Sequence, residues 1–266
     1  MPVKKNEQIA GNKGLANLGN TCYMNSAIQC LSHLLEFHPK NDDFIQHLNQ
    51  SDELYRSWYN TQIHLWSTLG ENIVVPTTFL KKFMSCCNQK DISFHNFNQN
   101  DTEEFINIFM NLLHESVKLK ADISVEGTPT NQIERLQVKS VKSWSDFFKN
   151  DYSYIIQKFY SQQLTITSCS KCDYYTVNFE PFMVLSLEIP DHNSTLYDCF
   201  SSYTSKTTLD ADNLWTCDKC KQKVSPDKKI KLWKTSNVII ILLKRYSNRS
   251  KKDNFVEYPL QLDLDD

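Results

Sequence analysis

The spacing of apolar and polar positions divides the chain into a helical first half and a β-rich second half. Residues 1–13 are polar and lysine-rich without periodicity, which predicts a loose leader. Met24, Ala27, Ile28, Leu31, Leu34 and Leu35 then recur at helical spacing, so a helix with one buried face is expected to begin at Cys22. From Asn41 to Gln50 a polar connection keeps Phe44, Ile45 and Leu48 available for packing. Leu54, Trp58, Leu65 and Leu69 repeat at helical intervals until Gly70 ends the run. Pro76 stands where the next helix starts, with Phe79, Leu80, Phe83, Met84 and Cys87 on one face. Another amphipathic helix is predicted through Phe105, Phe109, Leu112, Leu113 and Val117.

From Lys120 to Ser145 the pattern gives way to polar residues around Gly127 and Pro129, and residues 121–150 read as a linker or excursion. A short helix is expected over Asp151 to Tyr160, followed by strand-like alternation from Gln163 to Thr167. Phe182 to Ile189 also reads as a strand, and the unbroken apolar run Val238 to Leu243 reads as a central one. The expected class is α+β, helical over residues 14–120 and β-rich over 151–266.

A length of 266 residues with 40% apolar content is enough for one large domain or two small ones. The net charge of −2 implies no bulk attraction to nucleic acid or membrane. Ten lysines and two arginines lie between Cys217 and Lys252 against Asp218 and Asp227, a run read as a solvated face. There is no apolar stretch near the length of a membrane span and no charged-then-apolar pattern at Met1, so no secretory signal or membrane span is expected in this sequence. Nine cysteines, an odd number, suit a reducing compartment, so the expected location is intracellular, cytoplasmic or nuclear.

Three segments carry candidate chemistry. Gly14 to Ser26 reads G-L-A-N-L-G-N-T-C-Y-M-N-S, with Gly14 and Gly19 expected to allow tight turns and Cys22 at the helix start. Unpaired first-turn N–H groups carry partial positive charge, which favours thiolate over thiol. A free cysteine is otherwise most often a small core residue; the glycine-rich approach and the helix start argue for a nucleophile. Gln99 to Phe105 opens the later helix with Asp101, Glu103 and Glu104, an ordinary way to offset the macrodipole. Cys169-Ser-Lys-Cys172 and Cys217-Asp-Lys-Cys220 form two C-x-x-C pairs, enough for a closed tetrahedral structural zinc site. The alternatives are reduced, unmetallated pairs or a redox site, which would need only one pair.

The segment Gly14 to Ser26 resembles the cysteine box of the ubiquitin-specific proteases, papain-like deubiquitinating enzymes. The resemblance implies Cys22 as nucleophile and Asn17 as an oxyanion donor. Gln99 to Phe105 is similar to the family's second signature, with Thr102 where a small residue is usual. It implies that Asp101, Glu103 and Glu104 meet the arginines of ubiquitin's C-terminal tail and that Gln99 supports the oxyanion side. By the same resemblance Cys169, Cys172, Cys217 and Cys220 hold structural zinc in a fingers subdomain, while Leu242 to Tyr246 and Phe255 to Leu264 look like palm strands. The implied fold is a papain-like cysteine protease with a helical thumb, zinc-bearing β fingers and an incomplete β palm. Ubiquitin and ubiquitinated proteins are the implied partners, with no nucleic acid and no membrane.

A cysteine nucleophile also needs a base. Of His33, His38, His47, His64, His95, His114 and His192, none sits in the family's Gly-His-Tyr setting. His33 and His114 fall in predicted helices and His192 follows Pro190 in a turn, which suits structural or solvent-facing roles. The resemblance over residues 14–264 therefore lacks the histidine box. The expectation is a truncated form of a longer protease; a second polypeptide completing the site, or a ubiquitin binder that does not cut, are the other readings. The expected reaction is hydrolysis of the bond after ubiquitin's terminal glycine.

Overall fold

The computed structural model describes residues 9–49, 51–94, 100–246 and 250–264. The chain divides into two compact units, one comprising Met1–Lys120 with Asp151–Lys158, the other Ala121–Asn150 with Phe159–Asp266.

The first unit is built from β1 (Gly14–Leu15), α1 (Cys22–Ser32), α2 (Asp42–Ile45), α3 (Glu53–Trp66), β2 (Ile73–Val74), α4 (Thr77–Gln89), α5 (Thr102–Val117) and β3 (Leu119–Lys120). Short polar side chains start α3 and α5: Asp52 accepts the Tyr55 N–H at 3.0 Å, and Asp101 accepts the N–H groups of Glu103 and Glu104. The apolar stripes converge on an aromatic core. Trp58 of α3 meets Phe109 of α5 edge-on at 5.2 Å, Phe79 of α4 meets Phe109 at 5.3 Å, and Phe83 meets Phe105 at 5.2 Å. These side chains are fully buried or nearly so, and edge-to-face pairing adds to their area burial.

Two expectations are corrected here. Gly14 is not in a turn: it lies in β1, which pairs in parallel with β2, and its N–H donates to the Asn72 carbonyl. The helix through Trp58 ends at Trp66, because Ser67 adopts extended backbone, and Leu69 is exposed instead of continuing the buried face.

The second unit contains α6 (Gln132–Phe148) in the stretch read as patternless. Its packed face is partly polar, so a count of apolar residues misses it. Ser140 donates to Gln162 Oε1 at 2.6 Å and Ser143 to the Phe179 carbonyl at 2.6 Å, while Phe148 supplies the buried apolar end. After α6 the chain returns to the first unit as β4 (Asp151–Tyr152), antiparallel to β3, and α7 (Tyr154–Phe159) follows. Within that unit the Tyr154 hydroxyl donates to the Glu36 carbonyl at 2.7 Å.

The remaining elements are β5 (Ser161–Ser168), β6 (Tyr175–Phe182), β7 (Val184–Glu188), β8 (Ser194–Thr195), α8 (Leu196–Thr204), β9 (Thr207–Thr208), β10 (Trp215–Thr216), β11 (Lys223–Val224), β12 (Asp227–Lys234), β13 (Ile240–Lys244) and β14 (Val256–Glu257). An antiparallel sheet runs in the order β6-β5-β12-β9. The predicted central strand is β13, which pairs in parallel with β7 from Ile240↔Val184 to Lys244↔Glu188. Among the described residues it has no partner on its other edge, and Ile240 to Leu243 stay half-buried. A local cluster of Leu185, Leu187, Leu196, Cys199 and Val256 forms the core here, with Thr195 and Asp198 closing a capping box at the start of α8. Among the described residues no helix is long and apolar enough to cross a membrane.

Candidate active site and metal centre

The loop from β1 to α1 is shaped by two successive left-handed residues, Gly19 at φ 103° and Asn20 at φ 51°. Glycine suits the first because L side chains disfavour that region. Cys22 is the first residue of α1 and is exposed, and the N-cap residue Thr21 makes no side-chain cap bond to this helix. Met24, Ala27, Ile28 and Leu31 bury the opposite face. Two amides tie α1 back to the incoming strand: Asn25 Nδ2 donates to the Ala16 carbonyl at 3.0 Å and Gln29 Nε2 to the Lys13 carbonyl at 2.9 Å. The sulfur is thus carried on a helix fixed from below and from one side.

Asn17 reaches the same place. Its Oδ1 accepts three hydrogen bonds, from the Gly19 N–H, the Thr21 N–H and the Thr21 hydroxyl, each at 3.1 Å. Backbone N–H groups only donate, so the atom facing them has to be the oxygen, and Nδ2 is left to donate outward. That is the arrangement an oxyanion donor needs. Beside the loop, a groove of about 500 Å³ opens between Leu18 and the α4 residues Leu80, Met84 and Ser85.

Tyr23, which the sequence reading did not single out, links the start of α1 to the start of α5. Its ring packs on Phe94 at 5.8 Å and Phe105 at 5.9 Å, and its oxygen accepts from Asn100 Nδ2 at 3.2 Å. Burial raises the phenol's pKa against the opposing Asn100 hydrogen bond, and Cys87, Cys22 and Glu104 add to the rise. Glu104 therefore lies within electrostatic reach of the residue beside Cys22. Asp101 spends Oδ1 on the α5 cap, which leaves Oδ2 for a cation. Glu103 is half-buried and Glu104 exposed. Gln99 falls outside the described residues.

Among the described residues no histidine is hydrogen-bonded to the Cys22 sulfur. His33 contacts the Gln29 carbonyl through Nδ1 and the Gly11 carbonyl through Nε2. His38 accepts from the Lys40 N–H and packs edge-on against Trp66. His114 is buried against Ser153, and that burial lowers its pKa. His95 lies outside the described residues. A second group of possible metal ligands, His114, Glu115 and Asp151, is already neutralised: Lys118 Nζ stands 2.9 Å from both Glu115 and Asp151.

In the second unit the two C-x-x-C pairs come together. Cys169 and Cys220 sulfurs are 3.9 Å apart, Cys172 and Cys217 3.6 Å, and all four lie within 4.8 Å of one another. Four sulfurs at about 2.3 Å from one tetrahedral ion are separated by about 3.8 Å. The donor set and spacing therefore fit a four-thiolate metal. Each pair sits in a tight knuckle: the Cys169 N–H donates to the Tyr174 carbonyl, the Cys217 N–H to the Gln222 carbonyl, and Lys221 takes a left-handed φ of 57°. Tyr174 and Trp215 stack 6.0 Å apart at 8° over the cluster. Burial acts to raise the Cys217 thiol, but the N–H groups of Cys220 and Lys219 and the neighbouring sulfurs outweigh it and hold it at about 7. Thiols this close compete for protons, and a bound cation relieves that by taking all four as thiolates.

Comparison with known proteins bears on both sites. The family model described as ubiquitin carboxyl-terminal hydrolase matches residues 13–266. Ubiquitin carboxyl-terminal hydrolase 4 of Eremothecium gossypii is 30% identical over 277 residues, which cover 94% of this chain and 32% of that protein. Ubiquitin carboxyl-terminal hydrolase 2 of Homo sapiens is 30% identical over 273 residues, covering 96% of this chain and 44% of that protein. The chain thus spans less than half the length of these relatives. Among solved structures, the SAGA Ubp8 DUB module bound to ubiquitin aldehyde superposes with a TM-score of 0.68 at 24% identity, over 97% of this chain and 54% of that one. The α+β fold expected from the resemblance is the fold they share. With the cysteine box, the paired knuckles and a family match running nearly end to end, the chain belongs to the ubiquitin carboxyl-terminal hydrolase family.

Proposed function

We propose that this chain carries the nucleophile and oxyanion donor of a deubiquitinase that hydrolyses the bond after ubiquitin's C-terminal glycine. The observation that carries the reading is local. Cys22 is exposed at the first turn of a helix whose N-cap Thr21 makes no side-chain cap bond, beside an Asn17 amide whose oxygen is fully engaged and whose Nδ2 is available. In this reading the Cys22 sulfur forms a bond to the glycine carbonyl carbon, and the carbonyl electrons move onto oxygen, which takes a hydrogen bond from Asn17 Nδ2. The intermediate collapses with loss of the substrate amine, which leaves protonated, and water releases ubiquitin from the thioester. The proton the thiol gives up is proposed to be the one the leaving amine takes, and among the described residues no histidine is hydrogen-bonded to Cys22 to carry it.

Asp101 Oδ2 and Glu104, with Glu103, are proposed to receive the basic tail of ubiquitin, and Gln99 to support the oxyanion side. Cys169, Cys172, Cys217 and Cys220 are proposed to hold a structural zinc that cross-links the two knuckles and takes no part in the chemistry. Ubiquitin and ubiquitinated proteins are the proposed partners, and the free cysteines support an intracellular location.

Purified chain incubated with a ubiquitin C-terminal fluorogenic amide tests the reading against its alternative, a ubiquitin-binding protein that does not cut. Turnover abolished by Cys22→Ala is the expected result. Ubiquitin binding with no turnover beyond that of Cys22→Ala would assign this chain to the silent alternative.

A further inference from the structure

We propose that Thr21 is a positioning residue, whose hydroxyl locks the Asn17 amide with Nδ2 facing outward and so sets how well an oxyanion is held at Cys22. The proposal rests on the deubiquitinase reading above and adds a residue to it. A threonine at a helix boundary ordinarily uses its hydroxyl to accept a first-turn N–H. Thr21 does not: with φ −93° and ψ 16° it makes no cap bond, and Oγ1 instead accepts the Leu18 N–H at 3.0 Å and reaches Asn17 Oδ1 at 3.1 Å.

The direction of each bond is fixed by inventory. The Leu18 N–H can only donate, so Oγ1 accepts there and its single proton is directed to Asn17. The N–H groups of Gly19 and Thr21 donate to the same oxygen. Flipping the amide would set Nδ2 against three donors at once. Thr21 is 5% exposed, so water has little room to replace the hydroxyl. The run from Leu18 N–H through Thr21 Oγ1–H to Asn17 Oδ1 also polarises the amide in the sense that strengthens Nδ2 as a donor. A second consequence follows from the missing cap: the hydroxyl consumes none of the α1 first-turn N–H groups, which remain beside Cys22.

Equilibrium binding of ubiquitin aldehyde tests this without needing turnover. The Cys22 sulfur adds to the aldehyde carbon, the C=O π bond opens, and the thiol proton ends on the oxygen, giving a hemithioacetal with no leaving group. Unmodified ubiquitin reports binding without the adduct. Thr21→Val is expected to weaken the aldehyde about tenfold, a fraction of the 10²–10³ that losing an oxyanion donor outright costs. Unmodified ubiquitin should change less than about twofold, Thr21→Ser should restore the aldehyde affinity, and Thr21→Val should add no loss in an Asn17→Ala background. Undiminished loss in that background, parallel loss of unmodified ubiquitin, or an unchanged aldehyde affinity would overturn the proposal. Thr21→Ala gives the same readout should Thr21→Val fail to fold by thermal melting. If the wild-type chain binds the aldehyde no better than ubiquitin, the deubiquitinase reading itself fails and takes this proposal with it.

Discussion

Replacing Asn17 by aspartate separates the two halves of its amide. The three internal hydrogen bonds all end on Oδ1, which aspartate retains, so the loop keeps every acceptor it had. With a carboxylate those bonds become charge-assisted, and stability should hold or rise. Alanine would instead strand three donors; at about 0.5–1.5 kcal/mol each, Asn17→Ala should lose about 1.5–4.5 kcal/mol. For the adduct the ranking changes. Asn17→Asp deletes the outward Nδ2 donor, worth about 2.7–4 kcal/mol in known oxyanion holes, and turns a carboxylate oxygen toward the developing charge. Ubiquitin aldehyde should therefore bind at least about a hundredfold more weakly. The assay is competition binding of ubiquitin aldehyde, with thermal denaturation alongside. Its reference is ubiquitin lacking the terminal glycine, whose carboxylate stops short of the substituted side chain. Unchanged aldehyde affinity at unchanged stability would show that Nδ2 is not the donor. Destabilisation as large as that of Asn17→Ala would show that the amide faces the other way.

Other outcomes follow from the packing and the charges. Phe109 is fully buried among Trp58, Phe79, Phe83 and Phe105, so Phe109→Ala should cost about 3–5 kcal/mol in urea denaturation; a loss under about 1 kcal/mol would contradict the described core. Elemental analysis should find about one zinc per chain, and chelation or Cys217→Ser should lower the melting temperature; a metal-free chain indifferent to chelators would refute the knuckle assignment. Lys120 and then Lys118 hold the Asp151 carboxyl down at about 2, below the ordinary 3.8. A depressed native pKa stabilises above the ordinary value and is lost as pH falls through the native one, so Asp151→Asn should flatten the stability curve between about pH 4 and 2. An unchanged acid limb would remove that ion pair from the account.

Much of this was legible in the residues because local rules and tertiary packing agree. Of the stripe Met24, Ala27, Ile28, Leu31, Leu34 and Leu35, the first four are buried as their spacing implied, but α1 stops at Ser32 and leaves Leu35 exposed; the C-x-x-C pairs meet where β5 and β12 pair at Ser168↔Asp227. The misses have the opposite cause. Helix α6 hides its packed face behind Ser140 and Ser143, whose contribution is hydrogen bonding to the sheet rather than apolar area. Gly14 looked like a turn residue, but its conformation depends on β2, nearly sixty positions away. The direction of the Asn17 amide depends on which donors the Gly19–Asn20 turn aims at it, and no periodicity records that. The Tyr23 contact to α5 is likewise tertiary; the only signal was an aromatic residue directly after Cys22.

The central claim is that position at the helix start, and not mere exposure, makes Cys22 the nucleophile. Cys30 offers an internal control, since it is also an exposed thiol but lies in the body of the same helix. Reaction with ubiquitin bearing a C-terminal electrophile, followed by intact mass and peptide mapping, should place a single adduct on Cys22 and none on Cys22→Ala protein. An adduct on Cys30, or labelling that survives Cys22→Ala, would contradict the account.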